Sequence, residues 1–244
     1  MKRNVFVFVL LIALAVTVYG QNASDFDYTE NDGKITITFY KNRALKDVRI
    51  PETINGKPVV AIGKRAFTIS LDPNVFTDPR DRSGLTSVVI PGSVKTIGEE
   101  AFYMGNNLTS VTIGNGVITI GEKAFLAQEL TSITIPDSVI EIKDEAFGSN
   151  RKLNSITLGN SVAIIGSEAF SYCTSLTSVT LPASVTSIRG SAFERCTSLI
   201  EINVATNNRE YTAVDGVLYN KNRTTLVIYP SGKTQCQQVK PSTI

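Results

Sequence analysis

Histidine and tryptophan are both absent from the sequence, and only three of its 244 residues are cysteine. A Ser-His-Asp or Cys-His nucleophile needs an imidazole base, so both kinds of hydrolase are excluded, together with metal sites built on histidine. Paired carboxylates remain as candidate catalytic groups, but no cleft is predicted to hold them. We therefore expect no enzymatic activity, no catalytic residue, no cofactor and no bound metal.

Long hydrophobic runs are also scarce, and the one at the N-terminus is short. Lys2 and Arg3 precede an apolar run over residues 5–19, and the small residue Gly20 comes directly before Gln21. This arrangement is typical of a secretory signal peptide, whereas a helix that spans a membrane needs about 20 apolar residues. We predict cleavage after residue 20 and a chain that is secreted or held at the cell surface without a membrane span. A retained membrane anchor is the alternative.

The sequence has no excess of charge of one sign. Removing Lys2 and Arg3 leaves 22 basic residues against 22 acidic ones, and the charges are scattered along the chain. A protein that binds the phosphate backbone needs clustered lysine and arginine. We therefore expect no nucleic-acid partner.

One pattern recurs through the middle of the chain: an L-x-x-V-x-I strand, a turn, V-x-x-I, and then Ala-Phe. Successive leucines are 23 residues apart, except for one step of 22, where residues 126–129 form a shorter turn. Repeats of this length with leucine at fixed places indicate a leucine-rich solenoid. The opening and closing residues are Leu85, Leu108, Leu130, Leu153, Leu176 and Leu199, and Phe102, Phe125, Phe147, Phe170 and Phe193.

The apolar positions of one repeat predict how the repeats pack. Leu153, Ile156 and Leu158 lie on one face of a strand, and Ala169 and Phe170 complete a ring of inward residues. One such ring cannot form a core alone, but stacked rings bury one another. We expect the phenylalanines to form a single ladder inside the solenoid, at aromatic contact distance.

The repeat resembles the BspA-like class of leucine-rich repeats, with residues 176–188 (LTSVTLPASVTSI) close to the pattern of that class and a match over roughly residues 45–230. The resemblance implies a curved leucine-rich repeat solenoid, mainly β, with short helical or 3-10 turns on its outer face. It also implies a secreted or surface-displayed protein with a binding role, but it identifies no ligand.

The chain divides into five predicted segments. An Asp-Gly pair between two strand-like runs indicates a hairpin that covers the first repeat. The long break in the repeats at residues 68–84 is either a binding loop or a tolerated surface loop. The polar C-terminal residues 234–244 contain no repeat, so we expect them to be loosely ordered. The segments are a signal peptide (1–20), an N-terminal cap hairpin (21–50), the solenoid (51–200, with an insertion at 68–84), a terminal β-hairpin segment (201–233) and a disordered tail (234–244).

Two further patterns have two interpretations each. Acidic residues precede Ala-Phe in the middle repeats, and Glu99, Glu122 and Asp144 of adjacent repeats either share a hard cation such as calcium or belong to a solvated outer face, and we favour the second. Cys173 and Cys196 lie one period apart, so they are either a disulfide or two buried thiols, and again we favour the second. Cys236 is unpaired in both cases.

Serine and threonine alternate with the inward residues of four successive strands. Such a regular hydroxyl array suits glycan or protein ligands, although Ser and Thr are also common soluble residues of sheets. We predict an adhesin-like module that binds a protein or glycan of the matrix or of another cell through a concave strand face. The alternative is a structural, self-associating envelope protein. The predicted ligand-binding residues are Ser110, Thr112, Ser132, Thr134, Ser155, Thr157, Ser178 and Thr180.

Overall fold

The computed structural model describes residues 21–42, 44–68 and 84–233. The predicted signal peptide, most of the predicted insertion and the predicted tail with Cys236 therefore lie outside the described residues. Within the described ranges one 3-10 helix, Ala23–Asp25, precedes the strands. In chain order the strands are β1 (Phe26–Asn31), β2 (Lys34–Tyr40), β3 (Asp47–Arg49), β4 (Thr53–Ile54), β5 (Lys57–Ile62), β6 (Ser87–Ile90), β7 (Thr96–Ile97), β8 (Ser110–Ile113), β9 (Thr119–Ile120), β10 (Ser132–Thr134), β11 (Glu141–Ile142), β12 (Ser155–Thr157), β13 (Ile164–Ile165), β14 (Ser178–Leu181), β15 (Ser187–Ile188), β16 (Glu201–Val204), β17 (Tyr211–Val214), β18 (Val217–Asn220) and β19 (Leu226–Ile228).

Each repeat contributes one strand to each of two parallel sheets, so the chain winds as the predicted leucine-rich repeat solenoid. The first sheet, here called the strand face, contains β3, β6, β8, β10, β12, β14 and β16. The second sheet contains β5, β7, β9, β11, β13 and β15, paired in register from one repeat to the next. A 23-residue period places equivalent residues of neighbouring repeats side by side, which confirms the fold class.

The predicted phenylalanine ladder runs through the core and is confirmed. Ring centroids of successive members are 5.0 Å apart for Phe102 and Phe125, 5.2 Å for Phe125 and Phe147, and 5.4 Å for Phe147 and Phe170. The rings of these three pairs are within 10° of parallel. Because adjacent repeats stack at this spacing, each ring is buried by its two neighbours.

The outer side of the solenoid differs in detail from the expected short helical turns, because the residues before Ala-Phe form β-turns. Lys123 and Glu145 have φ angles of 55° and 54°, and this left-handed conformation interrupts a right-handed helical run. The backbone N–H groups also bond across repeats, as when Phe102 donates to the carbonyl of Ala124 at 2.8 Å. Amides that bond to the next repeat are not available for a helix.

An antiparallel hairpin covers the first repeat, as the sequence predicts. Strands β1 and β2 pair around the Asp32-Gly33 turn, and β2 then pairs in parallel with β5. Phe26 and Tyr40 pack on the ring of Phe67 at centroid distances of 6.4 and 5.2 Å, which extends the ladder into the hairpin. The start of the solenoid core is thereby shielded from water.

The C-terminal end is closed by a different arrangement. Strand β16 pairs in parallel with β14, so the strand face extends through Val204. Strands β17, β18 and β19 then form an antiparallel sheet, whose turn at Gly216 accepts a hydrogen bond from the amide of Ile202 at 2.9 Å. Among the described residues, no helix has the length and apolar character that crossing a membrane requires.

Candidate binding face

All eight residues predicted to bind a ligand are exposed on the strand face. They occupy β8, β10, β12 and β14, where they alternate with inward residues such as Ile133 and Val179, which are buried. Parallel register places Ser132 beside Ser155 and Thr134 beside Thr157. The result is one column of serine hydroxyls and one column of threonine hydroxyls along the solenoid.

These hydroxyls are free to bond outside the protein. Within the part of the chain that the structure describes, none of the eight side chains makes a hydrogen bond to another protein group. The serine column ends in charged residues, since it continues through Ser87 to Asp47 at one end and to Glu201 at the other. The centre of the strand face is therefore uncharged and polar, and it offers hydroxyl donors and acceptors at the spacing of residues and repeats.

Main-chain pairing across the strand face is interrupted at two places. Strands β3, β6 and β8 pair with one another, β10 pairs with β12, and β14 pairs with β16, but in the described chain no ladder joins β8 to β10 or β12 to β14. The inward residue on the N-terminal side of each break, Val111 or Ile156, is half-buried, whereas Val88 and Val179 are buried. Each break therefore opens the strand face towards the core.

The first break forms a shallow depression of about 400 Å³ in the hydroxyl array. It follows the short turn at residues 126–129, so the single missing residue coincides with the lost pairing. The second break follows an ordinary repeat, and nothing in the residue spacing distinguishes it. The lining residues of the depression include Thr109, Ser110, Thr112, Thr131, Ser132 and Thr134, with Pro136 and the apolar residues Val111 and Ile113.

The acidic residues of the outer turns are neutralised by lysine and arginine. Lys123 contacts Glu122 at 3.0 Å and Glu145 at 3.1 Å, and hydrogen bonds from its ammonium group to these carboxylates raise its pKa. Lys64 contacts Glu99 at 2.7 Å, and this hydrogen bond lowers the pKa of the Glu99 carboxyl. Among the described residues no group of three or more His, Cys, Asp and Glu side chains is placed to hold a metal ion. The solvated outer face fits this arrangement better than a shared cation.

The two described cysteines are buried and their thiols are free. The Sγ atom of Cys173 donates to the carbonyl of Phe147 at 3.5 Å, and that of Cys196 donates to the carbonyl of Phe170 at 3.1 Å. Burial raises the pKa of the Cys196 thiol to about 11 and also raises the pKa of Cys173. Both thiols therefore stay protonated at neutral pH and are poor nucleophiles.

Comparison with protein families gives one match. The family described as BspA type leucine rich repeat region matches in six copies, over residues 69–200 and 118–238. Together these ranges cover well over half of the chain. No curated protein is similar enough to the chain to count as a match.

Several solved structures are similar to this chain. The pneumococcal vaccine antigen PcpA is 27% identical, with a TM-score of 0.72, and the match covers 88% of this chain and 56% of PcpA. A leucine-rich cell surface protein of Faecalibacterium prausnitzii is 29% identical, with a TM-score of 0.56, and the match covers 86% of this chain and 61% of that protein. A leucine-rich repeat protein of T. pallidum is 26% identical, with a TM-score of 0.51, and the match covers 75% and 70%. The chain thus spans little more than half the length of the pneumococcal antigen.

Proposed function

Because this chain belongs to the family of BspA-type leucine-rich repeat proteins, we propose that it is a secreted or surface-displayed module that binds a protein or glycan through its strand face. The similar chains include a bacterial cell surface protein and a vaccine antigen, both of which fit display outside the cell. The basic N-terminus and the apolar run over residues 5–19 supply a route of export. The proposed role is adhesion to a matrix or to another cell.

One observation carries the binding role: none of the eight exposed hydroxyl side chains predicted to bind a ligand makes a hydrogen bond within the described chain. Polar side chains that bond neither to protein nor to one another are available to a ligand without first breaking an internal contact. The depression beside Ser110 and Ser132 adds concave surface whose lining includes the apolar residues Val111 and Ile113. A surface of this kind provides both hydrogen bonds and some apolar contact.

The chemistry of the strand face favours a neutral ligand surface. Its central residues carry no charge, and the ion pairs of the middle repeats lie in the turns instead, on the outer side or, for Lys152 and Glu129, just before the strands. Association should therefore depend little on salt, unlike binding that is steered by charge. No catalytic step is proposed, because repeat proteins of this kind generally act as binding modules.

Binding of residues 21–244 to an array of purified matrix proteins and glycans tests the proposal. The test variant changes Ser132, Thr134, Ser155 and Thr157 to lysine, which fills the centre of the strand face without touching the inward residues. The control variant changes Asn115, Asn160, Ser161 and Ser191 to lysine. These four residues are exposed in turns, so the control adds the same charge away from the strand face.

We expect at least one member of the array to bind the unchanged protein and the control variant, and to lose most of its affinity for the test variant. Equal binding by all three proteins would place the site elsewhere. An unchanged protein that binds no member of a broad array would contradict the binding role.

A further inference from the structure

Two isoleucines, Ile118 and Ile140, are exposed on the outer surface of the second sheet and are not part of the core. Ile118 and Ile140 are 42% and 47% exposed. The amide of Ile140 donates to the carbonyl of Ile118 at 2.9 Å, so the two side chains lie on adjacent repeats. Exposed apolar residues that are contiguous mark an interaction surface more often than single ones do.

The same position in neighbouring repeats continues this surface in both directions. Backbone hydrogen bonds link Val60 to Lys95, Lys95 to Ile118, and Ile140 to Ala163. We call these five residues and the residue that follows each of them the second-sheet stripe. Its members are Val60 and Ala61, Lys95 and Thr96, Ile118 and Thr119, Ile140 and Glu141, and Ala163 and Ile164. Val60, Ala163 and Ile164 are half-buried, while Lys95 is exposed and Glu141 is half-buried beside Ile140.

Two charged residues of the stripe lack a partner. Neither Lys95 nor Glu141 makes an ion pair in the described part of the chain, although most neighbouring charges on the outer turns do. They belong to repeats that are two apart, and at about 4.8 Å for each repeat this separates their backbones by roughly 10 Å. Each charge is therefore positioned for a partner outside its own chain.

We propose that the second-sheet stripe is the interface of a symmetric dimer, in which a second copy of this chain packs face to face and antiparallel. The two-fold axis runs along the strand direction through the repeat of Ile118. Ile118 then faces Ile118 of the other copy, and Lys95 lies against Ile140 and Glu141. Val60 and Ala61 face Ala163 and Ile164 of the other copy.

This register matches every position of the stripe with a suitable partner. A parallel dimer would instead place Lys95 against Lys95 and Glu141 against Glu141, and like charges in contact are repulsive. An axis between the repeats of Ile118 and Ile140 would place Lys95 against Ala163 and Ile164, which would bury a charge without a partner. Charge complementarity therefore selects both the antiparallel orientation and the register.

The dimer is a separate inference from ligand binding, because it uses the other sheet. It leaves both strand faces uncovered, so one particle would present two copies of the hydroxyl array. Two linked binding surfaces hold a surface-bound ligand more tightly than either surface alone. A narrow stripe buries less area than a permanent dimer interface, so the association should be weak and depend on concentration.

Sedimentation equilibrium from about 1 to about 500 µM tests the dimer, since weak interfaces associate in this range. We expect the average mass to rise from monomer towards dimer for the unchanged protein. Ile118→Glu should remain monomeric. Ile200→Glu is the matched control, because Ile200 is 53% exposed but precedes β16 on the strand face, and this variant should dimerise normally.

Charge reversal tests the register. Lys95→Glu or Glu141→Lys alone should weaken dimerisation roughly ten-fold or more, because each change places like charges together at two symmetry-related positions. The double variant restores both pairs and should recover dimerisation. A monomer at all concentrations would overturn the dimer and leave the stripe to a different partner. Dimerisation that Ile118→Glu leaves intact would overturn the interface, and failure of the double variant to recover would overturn the register.

Discussion

At the scale of single residues, the position three residues after each core phenylalanine explains why the cysteines are buried. Asn150, Cys173 and Cys196 occupy this position in successive repeats. Asn150 Nδ2 donates to the carbonyls of Phe125 and Phe147 at 2.9 and 2.8 Å, and Cys173 and Cys196 donate to the same kind of carbonyl in the next repeats. Each side chain supplies a hydrogen-bond donor to a buried carbonyl oxygen. The cysteines therefore act as small internal donors.

Alkaline pH should weaken the fold through these two thiols. Burial raises the pKa of Cys196 from 9.0 to about 11, so above pH 9 the unfolded chain loses a proton that the folded chain retains. The unfolded state is favoured by this difference, and the free energy of unfolding should fall by up to about 1.4 kcal/mol for each pH unit and thiol. Urea denaturation between pH 8 and pH 10, under reducing conditions, measures the slope.

A variant with both Cys173 and Cys196 changed to alanine isolates the effect. It should be less stable at pH 8, because two buried carbonyls each lose one of their donors, but its stability should fall less steeply with pH. The same slope in both proteins would show that the thiols do not control the alkaline loss.

Residue spacing predicts much at this scale, because a strict period fixes which residues face inward. The exposure of Ser132 and Thr134 and the stacking of Phe125 on Phe147 both follow from it. The period also places Gln128 in the column of Asn150 and the cysteines, three positions after Phe125, but it does not reveal the hydrogen bonds made there. The side-chain amide of Gln128 donates to the carbonyls of Phe102 and Leu126, and the sequence pattern does not show that these carbonyls accept a side-chain donor.

At the scale of elements, the outer turns depend on residues in the left-handed conformation. Glu100, Glu145, Glu168 and Ser191 all have positive φ angles, and each precedes an Ala-Phe pair. This conformation costs an ordinary residue about 1–2 kcal/mol, and glycine adopts it freely. The left-handed conformation is nevertheless retained, because it directs the amides of these turns towards carbonyls of the next repeat.

A pair of serine-to-glycine changes tests this interpretation. Ser191→Gly should stabilise the fold by up to about 1 kcal/mol, because φ is 61° there and the side chain makes no hydrogen bond in the described chain. Ser187→Gly is the control and should cost roughly 0.5–1 kcal/mol, because Ser187 lies in β15 with ordinary strand geometry. Thermal unfolding of both variants measures the difference. A loss of stability in Ser191→Gly would contradict the turn mechanism.

Breaks in the strand face mark the limit of prediction for elements. The sequence shows the missing residue at 126–129. The loss of pairing between β8 and β10, however, depends on the relative position of two neighbouring repeats. The break between β12 and β14 has no signal in the spacing at all. Pairing between strands is a property of two repeats together, so the pattern within one repeat cannot reveal it.

At the scale of the whole molecule, the two sheets give the solenoid two surfaces of different chemistry. The strand face presents neutral hydroxyls, and the second-sheet stripe presents isoleucine flanked by Lys95 and Glu141. The period brings together residues that are 23 positions apart, which makes the hydroxyl columns predictable from sequence. The stripe was not predicted, because Ile118 and Ile140 alternate with Ile120 and Ile142 in the sequence as two inward residues of a core strand would. Only the structure shows that they are exposed.

Amide hydrogen exchange on the protein bound to its tightest ligand from the array tests the binding face most directly. We expect binding to slow exchange in residues 109–113, 131–135 and 154–158, which include β8, β10 and β12, because a bound ligand covers these strands. Residues 118–120 and 140–142 of the second sheet should be unaffected by the ligand at protein concentrations too low for dimers. Protection confined to the second sheet or to the outer turns would contradict binding at the strand face.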